Sequence, residues 1–233
     1  MSDFKNVNPH VSVDCVVFGF DSERLQVLLI EKRSKDGKRQ FGIPGDLILE
    51  DEGLHDAANR ILLELTSLKG IFLKQFHTFG NPNRVKETKD LAWLQSYREQ
   101  PSARVITVGY YALIQMNDFE PDASSFAFKV FWCDVNDIPP LSFDHNKIIN
   151  AALDRLRTDF EVKKAGFELL PEKFTLGHIQ NLYEMILGKQ LDKRNFRKKL
   201  LKEKLVIPTN EKQTGVLHKP AQLFTLSPNQ PET

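Results

Sequence analysis

The sequence predicts a mixed α/β (α+β) chain in two parts: strands and helices over residues 1–160, then a small helical unit with a terminal hairpin over residues 161–226. Three observations predict it. Two β-rich runs, VSVDCVVFGF at 11–20 and LQVLLIE at 25–31, open the chain. A Pro44-Gly45 turn leads into an amphipathic helix at 54–65. Residues 170–205 read as two short helices, the second strongly basic, ahead of another β-rich pair.

The first two strands are joined by Asp21-Ser22-Glu23-Arg24, a hairpin signature. A polar loop at 34–40 and the turn Phe41-Gly42-Ile43-Pro44-Gly45 follow. In the helix at 54–65, Leu54, Ala57, Ala58, Ile61, Leu62 and Leu65 recur at helical spacing and form the buried face. Further strands fall near 71–79, 105–113 and 127–134, and a helix runs from 146 to about 160. Charged residues beside apolar runs, Asp14 and Arg33, either line a pocket or sit on a solvated edge. A lone histidine is more often structural than a ligand, so His77 and His145 are not counted as binding residues.

In the C-terminal unit Thr175 caps a first helix whose stripe is Ile179, Leu182, Tyr183, Ile186 and Leu187, and Gly188 ends it. Asp192 caps a second helix. There Phe196 and Leu200 share the inward face, and Arg194, Asn195, Lys198 and Lys202 project from the other side. Runs at 204–208 and 216–226, with a polar tip at 209–215, form a hairpin, the wing of a winged helix-turn-helix. The polar, proline-containing tail at 227–233 is expected to be disordered.

Composition bounds the function. With 233 residues and 41% hydrophobic residues the chain can bury a proper core. No run of 18 apolar residues exists and the N-terminus MSDFKNVNPH is too polar for a signal peptide, so a cytoplasmic protein without a membrane span is expected. Cys15 and Cys133 lie in apolar runs without metal-ligand spacing and are read as reduced core residues. The formal net charge of +1 conceals an asymmetry. Residues 163–219 hold thirteen basic against six acidic residues, a net +7, which leaves −6 for the rest. Such a division points to a polyanionic partner for the C-terminal unit. Arginine can bind guanine bidentately, asparagine adenine, and lysines neutralise phosphates, so Lys193, Arg194, Asn195, Arg197, Lys198 and Lys202 are the expected contacts to double-stranded DNA.

Residues 44–68, PGDLILEDEGLHDAANRILLELTSL, resemble the Nudix box, a glycine, five residues, a glutamate, seven residues, then Arg-Glu-(aliphatic)-x-Glu-Glu-x-Gly-(aliphatic). Asp46 falls at the glycine; Glu52, Arg60, Leu62, Glu64 and Leu68 match, and Ile61, Leu65 and Ser67 do not. In working Nudix enzymes the glutamates hold Mg²⁺ around a diphosphate. Isoleucine and leucine cannot coordinate it, so the expectation is no metal, no cofactor, no catalytic residue and no enzyme activity.

With LDKRNFRKKL at 191–200, FTLGHIQNLYEMILG before it and HKPAQLF at 218–224 after it, the chain resembles the Nudix-related transcriptional regulators of the NrtR type. The resemblance implies a Nudix-like α/β/α sandwich that senses an effector, fused to a winged helix-turn-helix that binds palindromic operators as a homodimer. The chain is similar to the arabinose-responsive, AraR-type branch, with Asp46 in place of the box glycine as one mark of it. The expected function is therefore a repressor of sugar-utilisation genes released by L-arabinose, with Glu31 and Asp46 accepting hydrogen bonds from the sugar's hydroxyls. Two alternatives stay open: an ADP-ribose-responsive regulator of NAD metabolism, and an active hydrolase of nucleoside diphosphate derivatives. An RNA-binding module would interleave aromatic residues with the basic ones, and from Lys189 to Lys204 the one aromatic is Phe196.

Overall fold

The structure, a computed structural model, describes residues 7–21, 24–33, 37–85, 90, 94–95, 98–125, 127–163, 169–215 and 219–227. Their contacts cluster into two units, the first holding the described residues up to Asp21 and Leu25–Arg155, the second Arg24 and the described residues from Leu156 onward. Among the described residues no helix is long and apolar enough to cross a membrane.

The first unit is organised by a seven-stranded mixed sheet. Its strands are β1 (Val7–Phe20), β2 (Leu25–Arg33), β3 (Arg39–Gly42), β4 (Gly45–Leu49), β5 (Lys74–Phe79), β6 (Ile106–Gln115) and β7 (Lys129–Asp134). The main path runs β3-β2-β1-β6-β5, with β4 paired to β1 and β7 to β2. β1 and β6 are parallel, in register from Val11↔Ile106 to Phe20↔Gln115, and the other pairs are antiparallel. Along its other edge β1 changes partner. Phe18 to Phe20 pair with β2, whereas Ser12 to Asp14 pair with β4. At the change, the Cys15 amide donates to the Pro44 carbonyl at 2.8 Å. The sheet thus forks beside Asp14, and the fork positions the cleft described below.

Helix α1 (Leu54–Thr66) buries Ala57, Ala58, Ile61, Leu62 and Leu65 against Val13, Cys15, Val17, Leu28 and Ile30. Strand alternation sends Asp14 to the opposite face, where the first residue of α2 (His145–Lys163) meets it. Cys15 is fully buried, and burial raises its thiol pKa; Cys133 is only half-buried, and both are free thiols.

β3 and β4 lie in stretches the sequence reads as loop and turn. Their four and five residues carry no clear alternation, and they become strands because β2 and β1 offer them free ladder edges.

The second unit contains α3 (Leu176–Leu187), α4 (Lys193–Lys202), β8 (Val206–Lys212) and β9 (Gln222–Leu226). The Thr175 hydroxyl accepts from the His178 amide at 3.2 Å, and the Asp192 carboxylate accepts from the Asn195 amide at 2.7 Å. Gly188 closes α3 at φ 64°, a left-handed conformation that glycine adopts without a Cβ clash. Phe174, Ile179, Leu182, Ile186, Leu200, Leu205 and Phe224 form the buried centre. Phe174 and Phe224 exchange backbone hydrogen bonds of 3.0 and 2.8 Å, which adds a third segment to the wing.

The expected tip at 209–215 is corrected in part, since β8 continues to Lys212. The Thr209 hydroxyl donates to the Leu223 carbonyl at 3.0 Å, and the Gln222 side chain donates to the carbonyls of Thr209 and Glu211. Polar residues are compatible with strand there because one edge is solvated and the cross-strand side chains satisfy the backbone. The rest of the expected tail, 228–233, and the hairpin residues 216–218 lie outside the described residues.

Candidate functional site

The box helix shows what became of the two surviving carboxylates. Arg60 Nε donates to Glu52 Oε2 at 2.8 Å, a second nitrogen donates to Glu52 Oε1, and Nη1 donates to Glu64 Oε2 at 3.0 Å. The guanidinium also reaches the Leu47 carbonyl at 3.2 Å, tying α1 to β4. Glu52 in turn accepts from the Leu49 amide at 2.7 Å. Both carboxylates therefore serve a structural ion pair. Ile61 and Leu65, one helical turn apart, are 1% and 2% exposed and belong to the core. Ser67 adopts φ 59° at the position of the box glycine and ends the helix.

The fork in the sheet leaves a small cleft of about 30 Å³ lined by Ser12, Asp14, Gly45, Arg84, Arg98 and His145, with apolar residues between them. Arg84, 5% exposed, donates to Asp144 at 2.8 and 3.1 Å and to Asp14 at 3.3 Å. His145 accepts the Ile43 amide on Nδ1 at 3.1 Å, which leaves the proton on Nε2, 3.7 Å from Asp14. Burial holds its pKa below the ordinary histidine value despite the neighbouring carboxylate. Gly45 is needed here, because a Cβ would lie 2.0 Å from Asp14 Oδ1 and 3.0 Å from the Val13 carbonyl.

Arg98 also lies 3.8 Å from Asp46, whose carboxylate accepts from its neighbour's amide, Leu47, at 2.8 Å. Burial pushes the Asp46 pKa up, opposed by Arg98. Lys32 joins this cluster; burial lowers its pKa to about 8, with Asp46 opposing and Arg98 reinforcing the change. Glu31, the other carboxylate offered by the sequence, points to the far face of the sheet from Lys32. It is clamped there by Arg39 at 2.7 and 3.0 Å and approached by Arg33 at 3.5 Å. Those hydrogen bonds hold its carboxyl below the usual glutamate range.

Of the residues left undecided by the sequence, Asp14 lines the cleft and Arg33 is exposed at the strand end, its guanidinium 3.7 Å from the Phe128 ring centroid. His77 is exposed beside Phe79, whereas His145 lies in the cleft. Lys32, Arg84 and Arg98 went unnoticed, since the latter two come from irregular segments without periodicity and Lys32 reads as an ordinary strand-end charge. The Pro44-Gly45 pair was their one local signal, a backbone approach too close for a side chain.

On α4, Lys193, Arg194, Asn195, Lys198 and Lys202 are exposed, and Arg197 is half-buried. Leu200 is buried and Phe196 packs on Tyr183, ring centroids 5.3 Å apart. The helix thus offers solvent a cationic face with one amide, and its single aromatic is turned away from it.

A family model described as NUDIX domain matches residues 8–152, and one described as NrtR DNA-binding winged helix domain matches residues 166–226. The ADPR responsive transcriptional repressor NtrR of Acinetobacter baylyi is 28% identical over 221 residues, 93% of this chain and 82% of that protein. The crystal structure of Shewanella oneidensis NrtR complexed with a 27mer DNA is similar with 28% identity and a TM-score of 0.67, covering 94% of each chain. The NUDIX domain of that NrtR, complexed with ADP ribose, shows 26% identity and a TM-score of 0.51 over 67% of this chain and 99% of that one.

These likenesses overturn the L-arabinose expectation, because the relative matched over most of the chain responds to ADPR and the similar domain holds ADP ribose. One misleading signal was Asp46. Its carboxylate serves the adjacent backbone and Arg98, so its presence carries no information about a sugar. From the match over residues 8–152, the chain belongs to the Nudix family, and it joins that domain to a C-terminal DNA-binding winged helix of the NrtR type.

Proposed function

We propose that this protein is a DNA-binding transcriptional repressor that senses ADP-ribose in its Nudix domain without hydrolysing it and releases its operator in response. The observation that carries the reading is the fate of the box: Arg60 occupies both remaining carboxylates, and Ile61 and Leu65 are core residues. A Nudix enzyme neutralises the diphosphate with Mg²⁺. Here the charge is met by the protein's own cations, Arg98 in the cleft wall and Lys32 beside it in the Asp46 cluster. Asp46 acts as an effector-site residue by orienting Arg98, and Glu31 acts more remotely by fixing Arg39. The identity and name of the A. baylyi relative support the choice of effector.

The DNA partner is read by α4, with Arg194 and Asn195 reaching base edges and Lys193, Arg197, Lys198 and Lys202 serving the phosphates. The protein acts in the cytoplasm as a homodimer on a palindromic operator, and the resemblance points to genes of NAD metabolism. ADP-ribose can release DNA only by its differential affinity for the two states of the dimer. A fluorescence titration of the full chain against DNA upstream of its own gene tests this. Weaker binding with ADP-ribose and unchanged binding with L-arabinose is the expected result; equal binding with and without ADP-ribose would remove the proposal.

A further inference from the structure

The second unit contains a cavity of about 320 Å³ behind the recognition helix, at the lower end of the roughly 300–1,000 Å³ typical of small-molecule sites. Its walls are built around three rings from three helices. Phe160 of α2 meets Tyr183 of α3 at 5.5 Å and 68°, and Tyr183 meets Phe196 of α4 at 5.3 Å and 54°. Leu187, Leu191 and Leu205 complete an apolar lining. Tilted rings of this kind leave faces and edges for another flat ring to pack against.

The rim carries charge of both signs, and its pairing decides the polarity. Glu161 is held by Lys189 at 2.7 Å. Glu203 has a partner of its own. Lys199, on α4, adds to the pull on Glu161 from longer range but has no carboxylate at ion-pair distance among the described residues. An apolar, ring-lined cavity with an exposed ammonium at its mouth that no ion pair holds suits a planar apolar anion: the ring is desolvated and the anion meets the cation.

We infer that this cavity is a second ligand site, separate from the Nudix cleft, that takes a small aromatic carboxylate. The bound molecule contacts Phe196 and Leu200 on the inner side of α4, opposite Arg194, Lys198 and Lys202, so it adjusts the helix that reads DNA from behind. It acts on operator affinity without passing through the ADP-ribose site, and the inference stands whether or not ADP-ribose is the Nudix ligand.

The test titrates the full-length protein with 1-naphthoate and with neutral 1-naphthalenemethanol, observed by ligand NMR, in the presence and absence of saturating ADP-ribose. Wild type is expected to prefer the carboxylate by about ten-fold or more, and to bind it with ADP-ribose present. Leu191→Trp fills the cavity and abolishes binding of both probes. Lys199→Gln, a change at an exposed position with little risk to folding, reduces the preference for the carboxylate to near unity while retaining the neutral probe. Absence of naphthoate binding at millimolar concentration overturns the inference, as does displacement by ADP-ribose in direct competition. So does a Lys199→Gln protein that keeps the full preference.

Discussion

Replacing Arg84 with methionine keeps much of the side-chain volume and removes the charge that joins β1 to the start of α2. Arg84 is 5% exposed, and the Asp14 and Asp144 side chains are 7% and 12% exposed. Methionine leaves two largely buried carboxylates without their cation, and Asp14 then has His145 as its remaining close neighbour. Removing one partner of a buried ion pair costs about 3–5 kcal/mol. At roughly 2–4 °C per kcal/mol for a chain of this size, the melting temperature should fall by about 6–20 °C. Both tryptophans of the sequence precede Leu156, where the main part of the second unit begins, and Trp132 lies on β7, so fluorescence-detected urea unfolding at pH 7 reports on the relevant domain. The double variant Arg84→Met/Asp144→Asn should be less destabilised than the sum of its single changes, since one orphaned charge has gone. A loss below about 1 kcal/mol, the value of an exposed pair, would refute the reasoning, and so would strict additivity.

Three further outcomes are expected. Gly45→Ala drives a Cβ into the Asp14 carboxylate and the Val13 carbonyl, so calorimetry should show about 1–3 kcal/mol lost from folding together with weaker ADP-ribose binding. His145 has a folded-state pKa below its ordinary 6.5, so the unfolded chain binds its proton first. Stability from this group is then complete above about pH 6.5 and declines below it by up to about 1.4 kcal/mol per pH unit, until the folded-state pKa is reached. His145→Gln, which keeps an acceptor for the Ile43 amide, should lessen that slope in urea midpoints taken from pH 7 to 5. Arg194→Ala should weaken operator binding by about 1–3 kcal/mol if the side chain pairs with guanine; unchanged affinity would mean that another face of α4 meets the DNA.

Much of the fold was legible because its signals are local. Thr175, Gly188 and Asp192 punctuate the C-terminal helices through their own backbone chemistry, and all three do so in the structure. The core face of α1 follows from the spacing of Ala57, Ala58, Ile61, Leu62 and Leu65. β3 and β4 were hidden because an edge segment becomes a strand through its partner, which no window of sequence contains. The cleft was less legible still. Asp14, Arg84 and Asp144 are brought together across 130 residues by a forked sheet and a long connection, and no spacing encodes their meeting. The loss of Mg²⁺ ligands at Ile61 and Leu65 could be read directly, whereas the commitment of Glu52 and Glu64 to Arg60 is visible only in three dimensions. The effector was misread because overall similarity to the sugar-responsive branch and one substitution, Asp46, were given weight, and a backbone hydrogen bond explains Asp46 more simply.

The central claim is that a Nudix frame has become a sensor, and one sample tests both halves of it. The full chain bound to fluorescent operator DNA is given ADP-ribose and Mg²⁺, and DNA release and the nucleotide products are followed together. The account predicts release of the DNA with ADP-ribose recovered intact. Accumulation of AMP and ribose 5-phosphate at a rate that accounts for the response, or DNA that stays bound at saturating ADP-ribose, would contradict it.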